Sequence, residues 1–160
     1  MNEIDQKRLF NVVVNKNYSC SEGHIFPNTD LSFLIIVQPN SSIENALQDL
    51  YDEQNFDELW CQECGSLRKQ ARYVSSVEFP QYLIFYTPKN KRTNFSFPES
   101  LEIYGEAYSL YAIICHKQNI LYGHYLAYVC LQGVWYKCDD SRVKKQAPDY
   151  KSAYLLFYQK

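Results

Sequence analysis

The chain has 160 residues and a formal net charge of −2, enough to enclose one hydrophobic core and too acidic to favour a nucleic-acid partner. Hydrophobic residues make up 46% and charged residues 21%, which excludes a disordered chain. The longest apolar runs, Leu34–Val37 and Leu110–Cys115, are far too short to span a bilayer, so no membrane segment is expected.

In chain order, the opening MNEIDQKRLF has no apolar h-region, so no secretory signal is expected. The six cysteines are then expected as thiols, metal ligands or catalytic groups of a reducing intracellular compartment, cytoplasmic or nuclear. The Asn-x-Ser triplets at Asn17, Asn40 and Asn94 read as chance, and the basic runs Lys89–Arg92 and Arg142–Lys145 as solvated faces. Leu9–Val14 and Leu31–Val37 read as strands, with a loop over Ser19–Asp30 marked by Gly23, Pro27 and Asn28. Ser41 followed by Glu44 has the form of a capping box. Ile43, Ala46, Leu47, Leu50 and Tyr51 then fall on one face of a helix. A short helix or turn is expected over Asn55–Leu59.

After Cys64 the pattern is almost all strand: Arg68–Val77, Gln81–Tyr86, Ser100–Tyr104, Ala107–Cys115, His124–Leu131, Val134–Cys138 and Ala153–Tyr158. Pro80, Pro88 and Pro98 punctuate them. A helix followed by a run of strands predicts an α+β fold with an antiparallel, β-rich sheet. Fifteen tyrosines and nine phenylalanines suit either a tyrosine-rich sheet or an enlarged binding surface.

Gln132-Gly133 suits a two-residue hairpin turn. Such a turn would set Leu126 opposite Asp139 and His124 opposite Ser141. His124 and Asp139 would then be diagonal neighbours on one face, roughly 7–8 Å apart across the two strands. Asp140 would point to the opposite face, and a three-residue turn would reverse the parity. An imidazole held by a carboxylate is the base half of a nucleophilic triad. The same pair also occurs as a satisfied, half-buried histidine on a sheet.

Around this hairpin the chain resembles the ubiquitin-specific proteases. Tyr108-x-Leu110-x-x-Ile113-x-x-His116 precedes Gly123-His124-Tyr125-x-x-Tyr128, then Trp135, the pair Asp139-Asp140, Val143 and the closing Ala153-Tyr154-x-Leu156-x-Tyr158. These occur in the family's order and spacing over roughly residues 8–159. The resemblance implies the fingers, about 8–75, and the palm, about 76–159, of a papain-like cysteine protease. It implies His124 as general base, Asp139 as its orienter and Asp140 as an accessory polar residue. It places His116 and Tyr125 beside the channel for the ubiquitin tail.

Cys61-x-x-Cys64-Gly65 is a metal-knuckle spacing, but a zinc site needs four ligands. The family often supplies a second knuckle upstream, where this chain has Cys20-x-x-x-His24. The resemblance thus implies a structural Zn²⁺ on Cys20, His24, Cys61 and Cys64. The alternatives are a metal-free finger with buried thiols and a thioredoxin-like redox pair, which lacks its βαβ context.

Two departures stand out. The family's nucleophile lies in an Asn-Thr-Cys-Tyr motif at a helix start, and no cysteine here has that context. Cys115, Cys130 and Cys138 read as small apolar residues in strands. The expectation is therefore a partial domain of a deubiquitinase, its thumb in a missing N-terminal half, inactive by itself and recognising ubiquitin or a ubiquitin-like modifier. The alternatives are an inactive, ubiquitin-binding pseudo-protease and a zinc-stabilised β interaction module. The second departure is Tyr86-Thr87-Pro88, where the family usually continues with Arg-Phe after the strand.

Overall fold

The computed structural model describes residues 8–39, 41–88, 97–118 and 123–160. The basic run Lys89–Arg92 and the triplets at Asn40 and Asn94 lie outside these residues.

Two sheets hold the strands. The first comprises β1 (Val12–Cys20), β2 (Ile25–Ser32), β4 (Gln54–Cys61) and β5 (Ser66–Glu78), in the order β2-β1-β5-β4, all antiparallel. The second comprises β3 (Ile35–Ile36), β6 (Tyr82–Tyr86), β7 (Ser100–Ile103), β8 (Glu106–Gln118), β9 (Gly123–Leu131), β10 (Val134–Asp139), β11 (Arg142–Lys145) and β12 (Ala153–Gln159). Its order is β11-β10-β9-β8-β12-β6-β3, with β7 also paired to β8. The architecture is antiparallel and β-rich, with a short helix, α1 (Ile43–Gln48), packed beside the strands. Among the described residues only the short β3 runs parallel to its neighbour, β6, because the chain passes through α1, β4 and β5 before returning.

The core lies on one face of the second sheet. Tyr108, Tyr128, Tyr158, Phe85, Ile113 and Leu156 are fully buried there. Ile43 and Ala46 of α1 seal this layer, with Leu47 and Leu50 packed beside them, so the apolar helix face follows the predicted periodicity. Val12 and Val14 of β1 enter the same core, which roots the first sheet in the second. The buried tyrosines keep their hydroxyls satisfied: Tyr108 donates to the Pro80 carbonyl at 2.7 Å and Tyr158 to the Pro98 carbonyl at 2.6 Å.

Several local expectations are corrected. Residues 8–10 are helical, and the first strand begins at Val12 and runs to Cys20. The expected loop over Ser19–Asp30 is largely β2; Pro27 is tolerated because β2 is an edge strand, where a missing N–H goes unused. The segment Asn55–Leu59, expected as a short helix or turn, is part of β4, whose register shifts between Phe56 and Leu59. The strand expected over Leu31–Val37 breaks after Ser32 and resumes as β3. The helix cap is Ser42, not Ser41: its hydroxyl accepts from the Asn45 N–H at 3.2 Å, and Glu44 lies in the first turn. β11 was not expected.

Candidate active-site dyad and metal centre

Gln132 and Gly133 both take positive φ, 51° and 75°, as a tight two-residue hairpin turn requires. That turn pairs Val134 with Leu131, Tyr136 with Val129 and Cys138 with Ala127. At the far end of the ribbon the His124 and Asp139 side chains meet, with His124 Nε2 2.6 Å from Asp139 Oδ1. Their side chains are 45% and 28% exposed, so the pair sits at a surface that a second reactant can reach.

Lys137, two residues before Asp139 and on the same strand face, places Nζ 2.5 Å from Asp139 Oδ2. Each carboxylate oxygen thus has its own cationic or imidazole partner. The Lys137 ammonium, followed by the His124 ring, holds the Asp139 carboxyl down at about 2 despite partial burial. The same contact raises Lys137 above its ordinary value. With Nε2 committed to Asp139, Nδ1 is the ring nitrogen left to accept a proton. Sequence reasoning missed Lys137; its signal was a lysine two residues before the acid on a strand.

Asp140 departs from the expected opposite face. Its carboxylate lies within 4.8 Å of the His124 and Asp139 ligating atoms. β10 ends at Asp139, and Asp140 takes φ 53° in the turn to β11, so strand alternation no longer governs its direction.

His116 and Tyr125 are direct partners across β8 and β9. Their rings stack at 4.3 Å with planes 7° apart, and Tyr154 meets both edge-on at 5.5 and 5.8 Å. As the sequence neighbour of His124, Tyr125 projects from the other face of β9. His116 and Tyr125 therefore form a second group, which the structure does not merge with the dyad. The Tyr86-Thr87-Pro88 segment closes on this group: Tyr86 packs edge-on to Tyr154, and the Thr87 N–H donates to the Tyr154 carbonyl at 3.0 Å.

Among the described residues, the ligating cluster around His124 holds Asp139 and Asp140 and no cysteine. Cys115 is fully buried, its thiol donating to the Asp149 carbonyl at 3.7 Å, whereas Cys130 and Cys138 are half-buried.

The other four cysteine and histidine candidates converge at the tip of the first sheet. Cys20 ends β1, His24 closes the turn to β2, Cys61 ends β4 and Cys64 lies in the turn to β5. Gly23 and Gly65 take φ 85° and 60°, letting both turns fold back tightly. His24 Nδ1 lies 3.5 Å from Cys20 Sγ, 3.7 Å from Cys61 Sγ and 3.3 Å from Cys64 Sγ. A tetrahedral zinc with ordinary Zn–S and Zn–N bonds would set each S···N edge at roughly 3.5 Å. The cluster therefore has the donor set and the dimensions to hold a metal ion. The thiols do not ionise alike by themselves. Burial opposes the Cys20 thiolate, but backbone N–H donors around His24 and Glu22 bring it down to about 7. Burial and the neighbouring thiols push Cys64 up to about 11.

A family model described as ubiquitin carboxyl-terminal hydrolase matches residues 3–158. The chain is 30% identical over 120 residues to the probable ubiquitin carboxyl-terminal hydrolase 8 of Schizosaccharomyces pombe, covering 72% of this chain and 24% of that protein. It is 35% identical over 54 residues to ubiquitin C-terminal hydrolase 22 of Arabidopsis thaliana, covering 32% and 10%. Its fold matches a solved SAGA DUB module of Ubp8, Sgf11, Sus1 and Sgf73 bound to monoubiquitin. That match has a TM-score of 0.71 and 19% identity, over 95% of this chain and 41% of that one. The module bound to ubiquitin aldehyde matches with a TM-score of 0.69. The match covers less than half the length of each of these proteins.

Proposed function

The chain belongs to the ubiquitin carboxyl-terminal hydrolase family, and from that membership we propose that it carries the base half of a thiol-dependent deubiquitinase. The observation that carries the reading is the 2.6 Å contact between His124 Nε2 and Asp139 Oδ1. Asp139 fixes the neutral tautomer with its proton on Nε2. His124 Nδ1 then takes the proton of a cysteine thiol, and the thiolate attacks the carbonyl after the C-terminal glycine of ubiquitin. His124 returns the proton to the leaving amine. Water then releases the acyl group by the same base, and Asp139 stabilises the imidazolium at each stage. Asp140 is an accessory polar group beside the dyad, and the His116–Tyr125 stack flanks the path of the ubiquitin tail.

In this reading the thiol comes from a thumb outside these residues. The first sheet is the fingers, which grip ubiquitin or a ubiquitin-like modifier, and the second is the palm, which also takes in β3 and α1 from within the expected 8–75 segment. Cys20, His24, Cys61 and Cys64 hold a structural Zn²⁺ that ties the finger turns together. It takes no part in bond cleavage. Six cysteines in one chain suit a reducing intracellular setting. Among the described residues no helix is long and apolar enough to cross a membrane.

A second reading, an inactive ubiquitin-binding relative, is favoured by one observation: no cysteine joins the ligating cluster at His124 among the described residues. One experiment separates the two. The chain is mixed with the part of the fission yeast relative that lies outside the matched 24% and assayed on a ubiquitin C-terminal fluorogenic amide. Iodoacetamide-sensitive turnover that disappears with His124→Ala supports the enzyme. Binding of ubiquitin without turnover supports the second reading, and neither result would end both.

A further inference from the structure

Resting on the dyad reading above, we propose that Lys137 is a positioning residue that clamps the outer oxygen of Asp139, so that the inner oxygen is held on His124 Nε2. The geometry is specific. Lys137 and Asp139 are alternate residues of β10, and the Lys137 ammonium lies 2.5 Å from Oδ2 while His124 lies 2.6 Å from Oδ1. The two contacts use different oxygens, so together they fix rotation of the carboxylate about its last bond.

An exposed lysine–aspartate pair would do little, because two mobile side chains in water gain almost nothing from pairing. Lys137 differs: its side chain is only 13% exposed. It sits between Tyr128 on β9 and Lys144 on β11, its direct partners across the ribbon. Tyr128 is buried and Lys144 carries a like charge, so Asp139 is the acceptor toward which the ammonium is steered. Without the clamp the Asp139 carboxylate is free to rotate about its last bond, and no fixed oxygen is held on the ring. The ring would then lose the fixed acceptor at Nε2 that selects its tautomer, and with it the assignment of Nδ1 as base.

The test is a ring-nitrogen NMR measurement on the purified chain, which needs neither ubiquitin nor a partner half. In the unmodified chain the neutral His124 ring should carry its proton on Nε2. Lys137→Met should give a mixture of both tautomers, and Lys137→Arg should restore the single one. An unchanged tautomer in Lys137→Met, or a failure of Lys137→Arg to restore it, overturns the proposal. Should either variant unfold, the unmodified chain still decides. The Asp139 carboxyl carbon should titrate near 2, and a midpoint at the ordinary aspartate value of roughly 3.9 overturns the clamp. The clamp can fail while the reconstituted enzyme still turns over. Equally, it can hold in a chain that never acts on ubiquitin, so its failure and that of the enzyme reading are separable.

Discussion

Gly123 lies flat against the edge of His116: a Cβ added at residue 123 would sit 2.6 Å from His116 Nε2. The residue before the dyad histidine thus sets the position of a ring on the neighbouring strand, which in turn stacks on Tyr125. Gly123→Ala should displace His116 and break that stack, lowering stability by about 1 kcal/mol. Chemical denaturation measures the loss. The ring-current shift between the His116 and Tyr125 protons should vanish with it, while the contact of His124 with Asp139 persists.

The finger tip should behave as a metal site. Elemental analysis of the purified chain should give about one zinc per chain, and Cys61→Ser should abolish it. Loss of the ion should lower the unfolding temperature and loosen the turns at Cys20–His24 and Cys61–Gly65, read by hydrogen exchange. A chain that is metal-free and undiminished in stability would remove the zinc assignment.

Acid should weaken the ribbon through Asp139. Its folded-state pKa is depressed to about 2, so the stability it adds is present above the unfolded value of roughly 3.9 and is lost as pH falls through 2. Asp139→Asn should therefore flatten the stability profile between about pH 4 and 2. Lys137 has the opposite sign: its raised pKa gives stability that is complete below the unfolded value and fades as pH climbs through the folded one. Thermal melts across both windows check each sign.

Core substitutions should separate packing from chemistry. Ile43 is fully buried where α1 seals the second sheet, and Ile43→Ala should cost about 2–5 kcal/mol. Tyr158→Phe strands the Pro98 carbonyl and should cost about 1–3 kcal/mol. Neither should alter the His124 tautomer.

The strands around the dyad were legible because their signals are local. The Gln132-Gly133 turn fixes a register by itself, and the apolar periodicity of Ile43, Ala46 and Leu47 marks a helix face. β2 was hidden because an edge strand tolerates Pro27 and Asn28 and is exposed along most of its length, so it lacks an alternating pattern. β11 was hidden for the same reason, being exposed at all four residues. Around Asn55–Leu59 the register shift in β4 breaks the period of two on which strand recognition depends. Asp140 was misplaced because its direction follows from a positive φ in a turn, not from the strand before it. The closure of Cys20, His24, Cys61 and Cys64 joins turns some forty residues apart, and pairing of β1 with β5 brings them together.

The central claim is that the end of the β8–β9–β10 ribbon where His124 and Tyr125 lie, on its two faces, receives the C-terminal tail of ubiquitin. NMR titration of the labelled chain with ubiquitin tests it most directly. Intact ubiquitin should move the signals of His116, His124 and Tyr125 together with those of the finger strands, and ubiquitin lacking its C-terminal glycines should move the finger signals alone. Saturable binding that leaves the His124 and Tyr125 signals untouched, or no binding at all, would contradict the account.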